Sequence, residues 1–326
     1  MELRRLGSSG SELPEVGLGC MGLSSVYTET DDRSAEDLIR LAYDLGVRHF
    51  DTADVYGANG HNERLVGRAI IGFRNEVTIA TKFGHVLLDD GSRIIDGSPE
   101  YVHRACDASL ARLGVERIDL YNAHRVDPKV PIEETVGAMA QLVHEGKVRW
   151  IGLSEAAPDS VRRGHATHPL AAIQAEYSLW TRLPEAEHFA VCEELGIAYV
   201  AYAPIGRGFL SGTIKSAGDI RPDDRRARLP RFSDEHIDSN VALLDTLIDV
   251  AVEVGASPAQ VALAWVLARK PFIHAIPGTT SAAHLEENVA AANISLSERQ
   301  VSRLASAFAT VSGDRYPPNV AQHVQR

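Results

Sequence analysis

Leu120-Tyr-Asn-Ala-His124 is a short apolar run between two longer amphipathic stretches, Tyr101–Leu113 and Ile132–His144. The next run of the same kind is Trp150–Ser154, and beyond it lie Ala172–Glu176, Tyr199–Ala203 and Ile273–Pro277. Toward the N-terminus the runs are Thr78–Lys82, His49–Ala53 and Glu15–Cys20. They are apolar rather than alternating, as expected of parallel strands covered on both faces. The stretches between them include Ala35–Leu45 and Glu185–Leu195. In Ala35–Leu45, Leu38, Ile39, Ala42 and Leu45 recur at helical spacing, while Glu36, Asp37 and Asp44 lie elsewhere. Ser257-Pro-Ala-Gln260 and Ser297-Glu-Arg-Gln300 read as capping boxes that open two late helices. A length of 326 residues admits either two domains or one large barrel. Eight strands alternating with helices favour a single closed (β/α)8 TIM barrel, one domain over residues 1–326.

Additions at the edges explain the length beyond a minimal barrel. Arg4-Arg-Leu-Gly-Ser-Ser-Gly-Ser-Glu-Leu-Pro14 reads as an N-terminal β-hairpin with a Gly-Ser turn. Additional helices close the C-terminal end. Ile205–Ser239, after the seventh strand, carries Arg207, Arg221, Arg225, Arg226, Arg228 and Arg231. A connection this long in a compact domain is usually a lid or mobile loop. The arginines from Arg221 onward read as solvated surface.

With 33 Lys and Arg against 44 Asp and Glu, the net charge is −11. That argues against general attraction to nucleic acid or to an anionic membrane. Cys20, Cys106 and Cys192 are far apart and lack any CxxC, which fits a reducing cytoplasm. No signal-peptide core and no apolar run of about 18 residues is present. A soluble, cytoplasmic protein is expected. The 13 histidines form no HxH or HExxH, so a metal-dependent hydrolase is disfavoured and no metal site is assigned.

Gly17-Leu-Gly-Cys-Met-Gly22 matches the G-x-G-x-x-G dinucleotide pattern. The pattern has meaning only where a helix starts at once and meets the pyrophosphate. Here the stretch from Leu23 to Asp32 intervenes before helical periodicity begins near Ala35. These glycines are read instead as a tight exit from the first strand.

Barrel chemistry sits at the C-terminal ends of the strands. His49-Phe-Asp-Thr-Ala-Asp-Val-Tyr-Gly57 puts Asp51 at one such end and Tyr56 in the loop beyond. Lys82 ends the third run and His124 the fourth. A tyrosine with its usual pKa of about 10 is a sluggish acid near neutrality. An adjacent ammonium is expected to lower that pKa. Asp51 can hold the lysine in place, and His124 can bond the substrate oxygen. Each residue alone has a plainer reading as a cap, a salt-bridge partner, a packing group or a core histidine. The set could protonate an oxyanion as a hydride reaches a carbonyl carbon.

Asp51-Thr-Ala-Asp-Val-Tyr-Gly57, Thr81-Lys-Phe-Gly84, Asp119-Leu-Tyr-Asn-Ala-His124, Gly146-Lys-Val-Arg-Trp-Ile-Gly-Leu-Ser154 and Ile276-Pro-Gly-Thr-Thr280 resemble, in order, the aldo-keto reductase superfamily. The resemblance implies a (β/α)8 barrel that reduces aldehydes and ketones with NADPH. It assigns Asp51, Tyr56, Lys82 and His124 as the catalytic tetrad, with Tyr56 as proton donor. By position, Ser154 and Gln174 would hold the carboxamide of the cofactor, and Tyr202 would stack on its nicotinamide. Pro204, Gly206, Arg207 and Gly208 would follow the pyrophosphate. Gly278, Thr280, His284, Glu287 and Asn288 would meet the adenosine end. The plainer readings are strand-end capping for Ser154 and Gln174, and barrel packing for Tyr202.

Two departures stand out. Glu155 replaces the usual asparagine. Thr279, Thr280, Ser281 and His284 stand where Lys or Arg commonly meets the 2′-phosphate, which leaves NADH as an alternative cofactor. Met21, Tyr27, Val55 and Trp180 are placed to line a pocket for an apolar or aromatic carbonyl compound, although Trp180 could equally pack against a helix. A small-molecule carbonyl substrate is expected; the sequence does not fix the oligomeric state. The alternative function is a cofactor-binding regulatory protein, similar to channel auxiliary subunits, without significant turnover.

Overall fold

A computed structural model describes residues 1–25, 30–88, 92–321 and 324. Eight parallel strands form one sheet: β1 (Leu18–Gly19), β2 (His49–Asp51), β3 (Thr78–Phe83), β4 (Ile118–Ala123), β5 (Val148–Ser154), β6 (Ala172–Glu176), β7 (Ala198–Tyr202) and β8 (Ile273–Ile276). They pair in chain order, and β1 returns to β8 through a parallel bridge between Val16 and Ala275. Backbone bonds from Gly17 N to Ala275 O, Ala275 N to Glu15 O and Gly19 N to Pro277 O complete that seam. The alternation read in the sequence therefore closes into a barrel. β2 to β8 fall within three residues of their expected bounds, whereas β1 is shorter than Glu15–Cys20 because the chain turns into a 3-10 segment at Cys20–Ser24.

The glycines of the rejected dinucleotide pattern explain themselves at the seam. A Cβ on Gly17 would lie 2.8 Å from His49 O, and one on Gly19 would lie 2.8 Å from Ile276 O. Only glycine permits that approach. The N-terminal hairpin, Leu3–Arg5 with Glu12–Pro14, covers the barrel floor. From it Arg4 Nη1 donates to Leu267 O, Lys270 O and Ile273 O, and its guanidinium pairs with buried Glu15.

Helices cover the outer face. Pro99–Leu113 is capped by Ser98, carries proline at its start and stops at Gly114 (φ 65°). Both expected capping boxes form, opening the helices Pro258–Ala268 and Glu298–Ala307. The stretch Glu185–Leu195 is not one helix. It divides into Pro184–Glu187 and Phe189–Leu195 at His188, whose Nε2 lies 2.9 Å from Ala156 O.

Ile205–Ser239 is built from four 3-10 turns leading to the helix Asp234–Val241. Phe209, Leu210, Ile220, Leu229 and Phe232 bury their side chains and anchor it. Its arginines are not all solvated surface. Arg226 pairs with buried Asp224, and Arg231 donates to Trp180 O and Thr181 Oγ1. A second hairpin, His85–Leu87 with Arg93–Ile95, follows β3 and was not evident in the sequence. Among the described residues no single helix is long and apolar enough to cross a membrane.

Candidate active site

Strand register brings the four expected catalytic side chains together. Asp51 stands opposite Ala80 on β3, and Lys82 opposite Asn122 on β4. Lys82 is fully buried. Its Nζ donates to Asp51 Oδ1 at 2.5 Å and Thr52 O at 2.7 Å, and lies 3.5 Å from the Tyr56 hydroxyl. Gln174 Nε2 donates to the other Asp51 oxygen at 2.7 Å. The loop carrying Tyr56 is pinned by Asn62, which bonds Cys20 O and Thr52 Oγ1. The rings of Tyr56 and His124 meet edge-on with centroids 5.8 Å apart. His124 N continues the ladder to Phe83 O, while its buried Nδ1 has no partner. The hairpin brings the His85 ring to 4.7 Å from His124.

The electrostatics follow from burial. Burial disfavours the ammonium of Lys82, but Asp51 and Tyr56 outweigh it and raise its pKa. The Tyr56 pKa is also raised, because burial of the phenol outweighs the opposing pull of Lys82. The expected lowering is therefore present only as a partial offset. Burial, then the charges of His85, Arg125, Lys82 and Arg225, hold His124 well below its ordinary value, so its imidazole is neutral. Neutral imidazole can donate or accept one hydrogen bond, and the half-buried, neutral Tyr56 keeps its proton.

The ends of β5 to β7 form the adjoining wall. Ser154 Oγ is buried and without a partner. Glu155, with φ +52°, accepts from the Tyr202 hydroxyl at 2.7 Å, Glu176 N at 3.1 Å and both terminal nitrogens of Arg315. Burial opposes its charge, but Arg315 and Arg125 outweigh it and lower the Glu155 pKa to about 2. The Tyr202 and Tyr316 hydroxyls are 2.9 Å apart, and Tyr202 keeps a partly exposed ring. Pro204 is buried. Gly206, Arg207 and Gly208 all take positive φ, and a Cβ on Gly206 would press on Trp180 at 3.1 Å. Arg207 donates to Glu176 at 2.7 Å and Tyr316 at 2.9 Å.

Past β8, Gly278, Thr280 and His284 are exposed at the start of the helix Ala282–Ala290, with Glu287 half-buried and Asn288 buried one turn on. No Lys or Arg occurs from Gly278 to Asn288. Met21 and Val55 are half-buried near the mouth. Trp180 is buried and stacks on Phe209 at 4.0 Å, and Tyr27 lies outside the described residues. Among the described residues no three His, Cys, Asp or Glu side chains converge as metal ligands.

Arg125, Arg315 and Tyr316 were missed by sequence reasoning. Arg315 and Tyr316 lie in Ser312-Gly-Asp-Arg-Tyr-Pro317, which has no periodicity to signal them; Arg315 reaches Glu155 from 160 residues away, and Tyr316 reaches Tyr202. Arg125 had one available signal, its place directly after His124.

The orphaned Ser154 hydroxyl, the fixed Gln174 amide and the partly open Tyr202 ring fit a nicotinamide carboxamide and ring. Residues 15–309 match the Aldo/keto reductase family. The chain is similar to a probable aldo-keto reductase of Glycine max, 45% identical over 96% of this chain and 91% of that protein. It superposes on a glycerol dehydrogenase from Gluconobacter oxydans with TM-score 0.87 and 27% identity, covering 97% of this chain and 98% of that one. A thermostable aldo-keto reductase in complex with the inhibitor epalrestat is 31% identical with TM-score 0.77, over 94% and 100% of the two chains. The chain belongs to the aldo/keto reductase family of (β/α)8-barrel, NAD(P)H-dependent oxidoreductases that reduce carbonyl groups.

Proposed function

We propose that the chain is a single barrel domain in which Tyr56 delivers the proton to the carbonyl oxygen of a small-molecule substrate, with NADPH as the preferred cofactor. The carrying observation is the buried Lys82, held by Asp51, with the Tyr56 hydroxyl 3.5 Å away and the neutral His124 beside it. The bound cofactor supplies the hydride. Asp51 and Thr52 O aim the lysine, and its charge stabilises the phenolate left when Tyr56 releases its proton. His124 orients the carbonyl oxygen toward Tyr56. Ser154 and Gln174 would hold the carboxamide, Tyr202 would present its ring to the nicotinamide, and Pro204 to Gly208 would border the pyrophosphate.

Support for NADPH is the cluster of Thr280, Ser281 and His284 at a helix N-terminus, which can bond a phosphate. Glu287 and Asn288 would meet adenine. The lack of a Lys or Arg there predicts only modest discrimination against NADH. Three free, buried thiols support a reducing, cytoplasmic setting.

The test is stopped-flow oxidation of bound cofactor by a reactive aldehyde. Tyr56→Phe is expected to slow it at least about 100-fold. Equal rates in variant and wild type would overturn the assignment of Tyr56. Fluorescence titration with NADPH and NADH reads cofactor choice, and a tighter NADH complex would reverse it.

A further inference from the structure

We propose that Arg125 forms an anion-recognition subsite beside His124, so that the preferred carbonyl substrate carries a carboxylate. This deepens the reductase reading and rests on it for the position of the reacting carbonyl. Arg125 is the second residue past β4, directly after His124, and is half-buried. Its only hydrogen bond among the described residues runs from Nη1 to His124 O, at 2.7 Å. A guanidinium has five N–H donors, so most of this fork is uncommitted.

Arg125 makes no ion pair with a carboxylate among the described residues. The charge of Arg125 is felt at Tyr56 and His124 on one side, and it interacts with Tyr202, Glu155 and Tyr316 on the other.

Three carboxylates of the site are committed to other partners. Asp51 serves Lys82 and Gln174, Glu155 holds Arg315, and Glu176 holds Arg207. A cationic fork thus stands beside the catalytic histidine in a chain whose net charge is −11. The expected pyrophosphate contacts, Pro204 to Gly208, lie past β7, whereas Arg125 follows β4. A half-buried guanidinium suits a planar carboxylate, which it can grip through two parallel bonds. The subsite would fix the substrate at its acidic end and turn the carbonyl toward Tyr56.

The test compares 4-carboxybenzaldehyde with 4-formylbenzamide, which match in shape and differ in charge. Wild-type kcat/KM is expected to favour the acid by about tenfold, equivalent to about 1.4 kcal/mol. Arg125→Gln should collapse that ratio toward one. Arg125→Lys should keep part of the preference, since the ammonium retains the charge without the planar fork. No preference in wild type, or an equal fall on both aldehydes in Arg125→Gln, would overturn the subsite.

If neither aldehyde is reduced, calorimetric binding of 4-(hydroxymethyl)benzoate and 4-(hydroxymethyl)benzamide separates the two readings. Tighter binding of the acid that is lost in Arg125→Gln keeps the subsite while the reductase reading fails. Equal or absent binding of both removes the subsite as well.

Discussion

Lys82 has no solvent exposure, so its charge depends on Asp51, Thr52 O and Tyr56. Removing one partner of such a pair is costly, because the other is left charged and desolvated. Lys82→Met is therefore expected to lower kcat at least about 100-fold and to cost about 3–5 kcal/mol in urea unfolding. Asp51→Asn should be comparably costly, since the amide accepts from Lys82 without neutralising it and sets its NH2 against the Gln174 donor. The raised Tyr56 pKa carries a pH prediction. The proton donor stays protonated across neutrality, so the rate of carbonyl reduction should show no loss from Tyr56 ionisation as pH rises from about 6 to 9. A fall centred near pH 7 in the chemical step would contradict it. Asp51, Tyr56, Lys82 and His124 were legible because each sits at or just beyond a strand end, where chain order maps directly onto place. The sign of the Tyr56 shift was not legible. It depends on how deeply the phenol is buried, which adjacency in sequence does not record.

The elements that shape the mouth are less visible in sequence than those that build the barrel. Strands and helices announce themselves by period, whereas the His85–Ile95 hairpin and the 3-10 turns of Ile205–Ser239 have none. Arg315 and Tyr316 are the sharpest case, because a short irregular segment crosses the barrel to reach Glu155 and Tyr202. That crossing ties the C-terminal segment to the cofactor wall. Arg315→Gln is expected to free Glu155 and Tyr202, raising the Kd for NADPH about tenfold and exposing the segment after Val311 to faster proteolysis. Arg315→Lys should recover little, since an ammonium cannot match both carboxylate oxygens. Glu155, which appeared as a departure from the usual asparagine, thus has a structural partner that explains its charge.

Across the whole molecule, buried histidines set the acid limit of stability. His49, His124 and His274 are all lowered, each chiefly by burial, and His49 falls to about 3. Below about pH 6.5 the unfolded chain takes up protons at these positions that the folded chain refuses. Unfolding free energy should then fall with pH, by about 1.4 kcal/mol per pH unit for His49. His49→Gln is expected to reduce that slope measurably in denaturant titrations between pH 6 and 5. The barrel seam has a consequence for biosynthesis. On the side away from β2, Glu15 to Gly19 find their partners in Ala275 and Pro277, more than 250 residues later. On a translating ribosome the first strand must therefore wait, unpaired on one edge, until nearly the whole polypeptide has emerged. Closure is a late event in the life of the nascent chain, and chaperones that shield exposed strand edges would act in that interval.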